Sequence, residues 1–354
     1  MDILQETISL LEQLPQAVFL VKDGRVIYAN HGAKLRDVRL NANVWDLITI
    51  GQQEYQQFQS GKLMLTVGVS GILYNTVVTS SGDYHMFCLE SEYSNTEFRA
   101  YAVAAEALRE PLNSAMLGVE ALLPDETIQD SPALLAQLKA LNRNMHLMLR
   151  SVRNMSDVST LNSIGNTEMR NIDNLISEII DKSVSMLELT HNRIIFQPSS
   201  TPVYSQVNRE NLERAVLNLI SNAVKYTSDD DAVKVSLHTG PNKFYISVQS
   251  KCEHANKLIG SNIFSNFNRE PSIGDGNKGI GLGLTIVHAI ASAHNGTLLV
   301  DCPSEDTIRF TASFSITSSG TLKVKSPVMS VDSCGGLDLY LIELADILPP
   351  DLYE

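Results

Sequence analysis

The alternation of apolar and polar positions divides the chain into three regimes. Up to about residue 95 the period is two. Short β-rich runs at 17–21 and 25–29 flank Lys22-Asp23-Gly24, which reads as a hairpin. Further runs follow at 63–67, 72–78 and 84–89, and residues 43–58 are the place for helices. From residue 98 the period lengthens to about three and a half. Tyr101, Ala105, Leu108, Leu112, Ala115, Val119 and Leu122 keep a 4-3 spacing, and Leu134, Leu138, Leu141, Met145, Met148, Val152 and Met155 repeat it after a polar break. Two such stripes predict an antiparallel helical hairpin. Apolar residues beside the stripes (Met116, Leu123, Leu135, Leu147) would stay wet in a single hairpin, so two copies should pair as a four-helix bundle. A monomeric hairpin buried beneath the other units is the plainer alternative.

Beyond residue 170 helices and strands are interleaved. Helices are expected at 172–188, 209–226 and 284–294, with strands at 193–197, 233–238, 244–248, 296–300 and 308–315. The predicted fold is therefore multidomain α+β, with units at 1–95, 96–165, 170–317 and an acidic stretch at 318–354. That stretch holds an apolar run at 337–348 before Pro349-Pro350, a candidate docking helix.

With 44% apolar and 19% charged residues in 354, the chain can bury real cores. Its formal charge of −13 argues against nucleic-acid or anionic-membrane surfaces, which need clustered Lys and Arg. Four scattered cysteines (Cys88, Cys252, Cys302, Cys334) without a CxxC pair read as reduced thiols. The first residues lack a basic leader, and no run approaches the roughly 18 apolar residues that span a bilayer. A cytoplasmic location is expected.

Two motifs carry candidate chemistry. In Asn218-Leu-Ile-Ser-Asn222-Ala-Val-Lys225-Tyr226, the two asparagines stand at i and i+4 on one helical face, with Lys225 on the same side. A carboxamide oxygen can ligate a hard cation while the ammonium balances phosphate charge, so Asn222 is the candidate Mg²⁺ ligand. In Gly279-Ile-Gly281-Leu-Gly283-Leu284, alternate glycines before a helix let the backbone approach phosphate oxygens. No strand precedes this motif, which argues against a dinucleotide fingerprint. Each motif alone is weak evidence.

Together, in this order and about 60 residues apart, they resemble the ATP-binding domain of sensor histidine kinases, within the gyrase, heat-shock chaperone and mismatch-repair ATPase superfamily. Ile263-Phe264-Ser-Asn-Phe267-Asn-Arg269 looks like that family's phenylalanine box, and Leu108-Arg109-Glu110-Pro111-Leu112 like its dimerisation-helix motif. Residues 1–95 are similar to a PAS sensory domain. The resemblance implies an α/β-sandwich ATPase unit that binds ATP and Mg²⁺ through Asn218, Asn222, Lys225, Tyr226, Ser250, Gly279, Gly281, Gly283 and Leu284. It also implies a homodimer through residues 98–160 and, as partner, a response regulator or an active histidine kinase.

Three positions depart from the family. Glu106 and Ala107 stand where it has the phosphorylated histidine and its acidic neighbour, and Ser250 stands for the adenine-binding aspartate. A carboxylate is a poorer nucleophile toward a γ-phosphate than a neutral imidazole. Losing a charge-assisted bond to the base costs on the order of 1–2 kcal/mol. The expected function is signal transduction with weak, Mg²⁺-dependent nucleotide binding and no histidine autophosphorylation of the family type. Its rivals are an active kinase with an unconventional acceptor and a structural dimer with a dead pocket. His146, in the second hairpin helix, is the alternative acceptor, although most histidines so placed are simply packed.

Overall fold

The structure, a computed structural model, describes residues 8–90, 95–157, 166–188, 190, 193–227, 231–252, 255, 259, 282–317 and 337–353. The first strands, β1 (Ala17–Lys22) and β2 (Arg25–Ala29), turn through Asp23 and Gly24, both at positive φ (51° and 73°). That pairing of angles suits the right-handed twist of the two strands. Helices α1 (His31–Leu35) and α2 (Val44–Leu47) follow, then β3 (Ile48–Ile50) and α3 (Gln52–Gln57). The unit closes with β4 (Lys62–Val69), β5 (Ile72–Ser81) and β6 (Tyr84–Leu89). Its core is filled by side chains such as Phe19, Tyr55, Phe58 and Phe87, with the Phe19 and Phe87 rings stacked at 4.7 Å.

The hairpin consists of α4 (Asn95–Leu122), a short α5 (Glu126–Gln129) and α6 (Pro132–Asp157). Pro111 lies inside α4, as the continuous stripe predicts. The stripe is divided, however. Ala105, Leu112, Met116 and Val119 are buried against Met145, Leu149 and Val152, whereas Leu108, Leu122, Leu134, Leu141 and Met148 face outward. The split follows heptad position: 105, 112 and 119 face the partner helix while 108, 115 and 122 face away, so the hairpin covers one of the two apolar positions in each heptad.

The third unit comprises β7 (Glu168–Asn171), α7 (Ile172–Leu187), β8 (Arg193–Gln197), β9 (Tyr204–Val207), α8 (Arg209–Tyr226), β10 (Ala232–Thr239) and β11 (Lys243–Lys251). It is completed by α9 (Gly283–Ala293), β12 (Leu298–Ser304), β13 (Thr307–Ser315) and, after the acidic stretch, α10 (Leu339–Glu343). Strand order β12-β13-β11-β10-β8 makes a mixed sheet, with β8 and β10 parallel and the other pairs antiparallel. The apolar faces of α7, α8 and α9 join the sheet in the largest core. Most helices and major strands lie within three residues of their sequence-based positions; β12 ends four residues late, and the candidate docking helix at 337–348 is confined to 339–343. The short strands β3, β7 and β9 were not anticipated.

The first and third units share one sheet. β12 pairs antiparallel with β4, matching Leu298 with Met64, Leu299 with Leu63 and Val300 with Lys62. Gly61 precedes this junction at φ +91°, and a Cβ there would lie 2.2 Å from the Val300 carbonyl oxygen. Glu54 reinforces the joint by accepting from Lys243 Nζ (2.6 Å) and Ser313 Oγ (2.7 Å).

Candidate nucleotide site

Helix α8 begins at Asn208, whose side chain accepts from the Asn211 amide at 2.9 Å. Leu212, Ala215, Val216, Leu219, Ile220 and Ala223 bury one side of it in the sheet core. On another side Arg214, Asn218, Ser221 and Lys225 recur at i, i+4, i+7 and i+11, forming a polar stripe. Arg214, Asn218 and Ser221 are buried, so their polar atoms need partners.

Most of those partners come from α6 and from residues 337–353. Glu343 accepts from Arg214 Nε (3.0 Å), Asn218 Nδ2 (2.9 Å) and Arg150 Nε (3.3 Å). Asp346 pairs with Arg150 Nη1 (2.6 Å) and with Lys225, and accepts from Ser221 Oγ (2.8 Å). Arg150 also donates to Asn218 Oδ1 at 3.0 Å. Burial alone would raise the Glu343 carboxyl, but Arg214, Arg150 and Arg153 outweigh it and hold it below the ordinary glutamate range. Burial likewise opposes ionisation of Asp346, and Arg150 and Lys225 overcome it. Both carboxylates stay charged.

The glycine motif meets this stripe at its last member. Gly283 opens α9, and a Cβ there would sit 2.8 Å from Asn218 Oδ1 and 3.6 Å from Asn222 Nδ2. Only hydrogen fits that approach. Leu282, at the N-cap, supplies no side-chain bond to the first turn of α9, and Leu284 is buried. Ser250 lies near the end of β11, opposite Ile308 of β13, with its side chain buried. Two buried polar atoms here have no partner among the described residues: Asn222 Nδ2 and Ser250 Oγ. Orphans of this kind are uncommon in a settled fold and fit a site built for a polar ligand.

The structure thus brings Asn218, Asn222, Lys225 and Gly283 together, with Leu284 next in α9 and Ser250 on β11. The backbone of Tyr226 ends α8. Gly279, Gly281 and the 263–269 motif lie outside the described residues. Glu106 is exposed on α4, with Arg109 at 3.8 Å. His146 is buried on α6, its Nδ1 3.0 Å from the Asn142 carbonyl oxygen and its ring edge-on to Tyr353 at 4.8 Å. Burial lowers its pKa.

Sequence reasoning missed Arg150, Arg214, Glu343 and Asp346. Arg214 was within reach, four residues before Asn218 on the same face. Nothing local joins Glu343 and Asp346 to side chains more than a hundred positions away.

Residues 207–318 match the family described as histidine kinase-, DNA gyrase B-, and HSP90-like ATPase. The chain is 29% identical over 206 residues to the sensor histidine kinase RppB of Synechocystis, covering 56% of this chain and 45% of that protein. It is 26% identical over 232 residues to the bacteriophytochrome of Pseudomonas aeruginosa, covering 64% and 31%. The chain thus spans less than half the length of these curated relatives. A solved structure of full-length ShkA in complex with AMPPNP is similar with TM-score 0.48 and 19% identity, covering 62% of this chain and 47% of that one. No helix among the described residues is long and apolar enough to cross a membrane. A unit matching the histidine kinase-, DNA gyrase B-, and HSP90-like ATPase family therefore stands at 207–318, in a chain whose curated relatives include sensor histidine kinases.

Proposed function

We propose that this chain is a cytoplasmic, histidine-kinase-like signalling protein that binds ATP and Mg²⁺ weakly and does not phosphorylate a histidine of its own. The observation that carries this reading is the meeting of Asn218 and Asn222 with Gly283, with Lys225 farther along the same helix, inside the segment matched to the ATPase family. ATP would supply a transferable phosphoryl group. On this reading Asn222 holds Mg²⁺, Lys225 and the α9 amide groups face phosphate, and Ser250 lies toward the base. Tyr226, Gly279, Gly281 and Leu284 complete the proposed contacts. Base selection should be poor, with ATP and GTP bound almost alike, because a neutral hydroxyl replaces a carboxylate.

At the acceptor position stands Glu106, exposed on α4. The proposed organisation is a PAS-like sensory unit at 1–95, a dimerising hairpin at 96–165, the ATPase unit at 170–317 and the acidic stretch at 318–354. The outward-facing Leu108, Leu122, Leu134, Leu141 and Met148 are the surface that a second copy would cover through residues 98–160. A response regulator or an active histidine kinase is the proposed partner. The rival in which His146 accepts phosphate has a buried imidazole to contend with, packed beneath Tyr353.

Incubation with labelled ATP and Mg²⁺ tests the proposal. No acid-labile label is expected in the unmodified protein. An acyl phosphate on Glu106 would instead be acid-stable and cleaved by hydroxylamine. Glu106→His combined with Ala107→Glu should leave folding intact and restore slow acid-labile labelling. Stoichiometric phosphohistidine that disappears in His146→Ala would overturn this reading.

A further inference from the structure

Residues 337–353 cross the candidate site and are fastened along their length. Lys182 on α7 pairs with Asp338 at 2.9 Å and lies over the Tyr340 ring at 4.0 Å. Arg143 on α6 donates to the carbonyl oxygens of Leu348 (2.8 Å) and Asp346 (3.3 Å). Tyr353 closes the segment against His146 and donates to the Leu341 carbonyl oxygen at 2.9 Å. Between these anchors, Glu343 and Asp346 occupy the polar stripe of α8 described above.

Chemistry gives this placement its meaning. Arg150, Arg214 and Lys225 carry three positive charges and meet the carboxylates of Glu343 and Asp346. A magnesium-bound triphosphate arrives as a dianion, the same charge that Glu343 and Asp346 supply together. It would also need Asn218 and Lys225, which Glu343 and Asp346 engage. A buried carboxylate beside matched cations resembles what a phosphate oxygen would find there.

We propose that residues 337–353 are an internal pseudo-ligand, seating Glu343 and Asp346 where polyphosphate would neutralise Lys225 and Arg150, so that nucleotide binding requires their displacement. The inference rests on the proposed nucleotide site and assigns its regulation. The apparent affinity for nucleotide is then the intrinsic affinity reduced by the fraction of molecules with the segment released. Whatever draws residues 337–353 away, a partner surface or a change in the hairpin, opens the site. Because the segment also bridges α6 to α8, its release leaves the two helices joined only by their direct bonds, such as Arg150 to Asn218 and Arg153 to Glu210.

The test is hydrogen exchange on the full chain, read at amides 339–348, with magnesium–ATP and separately with inorganic tripolyphosphate. Binding of either ligand should speed exchange in this segment while slowing it in α8 and at Gly283. Two variants extend the measurement by calorimetry. Glu343→Gln with Asp346→Asn removes the competing charges, and Tyr353→Ala loosens the anchor with every charge in place. Both should bind the two ligands about tenfold more tightly, as expected if released molecules are about a tenth of the resting population. If the unmodified chain binds ligand while amides 339–348 keep their protection, or if Tyr353→Ala gains no affinity, the inference is overturned. If tripolyphosphate releases the segment and ATP binds nowhere, the displacement stands and the nucleotide reading fails. If neither ligand binds even the double variant, the stripe is no polyphosphate site and the inference falls.

Discussion

Ser250→Ala separates a ligand-facing hydroxyl from a structural one, because the two roles predict effects of opposite sign. Ser250 is 2% exposed and its Oγ has no partner among the described residues. An unsatisfied buried hydroxyl costs about 1–3 kcal/mol relative to the same group in water. Alanine fills nearly the same volume and removes that cost, so the ligand-free protein should gain about 1 kcal/mol, near the lower bound because a small void remains. For a unit of this size that is a rise of roughly 2–4 °C in melting temperature. The same substitution deletes the proposed contact with the base, worth about 1 kcal/mol, or a roughly fivefold loss of ATP affinity. Differential scanning fluorimetry reads the first effect. Calorimetry in the Glu343→Gln, Asp346→Asn background reads the second without competition from the carboxylates. Ser250→Asp should invert both signs, binding ATP more tightly while destabilising the empty protein through an unpaired buried carboxylate. A melting temperature that falls by several degrees in Ser250→Ala, with affinity unchanged, would refute the reasoning and make the hydroxyl a structural bond.

Further outcomes follow from other parts of the molecule. Burial lowers the pKa of His288 from 6.5 to about 4, so the unfolded chain binds more protons between those values. Stability should therefore fall as pH drops from 6.5 to about 4, by on the order of 3 kcal/mol, and His288→Leu should flatten that slope in denaturant titrations at several pH values. Gly283→Ala places a methyl 2.8 Å from Asn218 Oδ1. It should cost about 1–3 kcal/mol of stability by overpacking, and polyphosphate affinity should fall with it in calorimetry. If the proposed dimer forms, Leu108→Glu with Met148→Glu, at positions 54% and 58% exposed, should sediment as a folded monomer at concentrations where the unmodified protein sediments as twice that mass. Circular dichroism should remain unchanged, since neither side chain is in the hairpin's own contact.

Legibility in the sequence followed the range of the interactions involved. The turn at Asp23-Gly24, strands β8, β10, β11 and β13 and helix α8 are set by local pattern, and each lies close to where its residues predict. Asn218, Asn222 and Lys225 could be grouped because helical spacing fixes their common side. The hairpin was legible as two helices, but which of the two apolar positions in each heptad is covered depends on how the helices are rotated against each other. Leu108 and Met148 therefore fell on the exposed side although they keep perfect spacing. The pairing of β4 with β12 and the seating of Glu343 on Arg214 join residues far apart in sequence. Only an acidic, apolar run at 337–348 hinted at the latter, and it could not name its receptor.

The junction of β4 with β12 has a mechanical consequence. A hinge between two units is soft because few bonds cross it, yet here backbone pairing at Met64, Leu63 and Lys62 runs straight across, with Gly61 allowing the strands to close. Bending there would strip ladder hydrogen bonds from both units at once, each to be replaced by water. The compliant coordinate is instead the shared twist of the strands, which rotates β11 and Ser250 when β1 to β6 rewind. A load applied to the first unit would then be felt as torsion at the nucleotide end, and a Gly61→Val junction, unable to close, would transmit none of it.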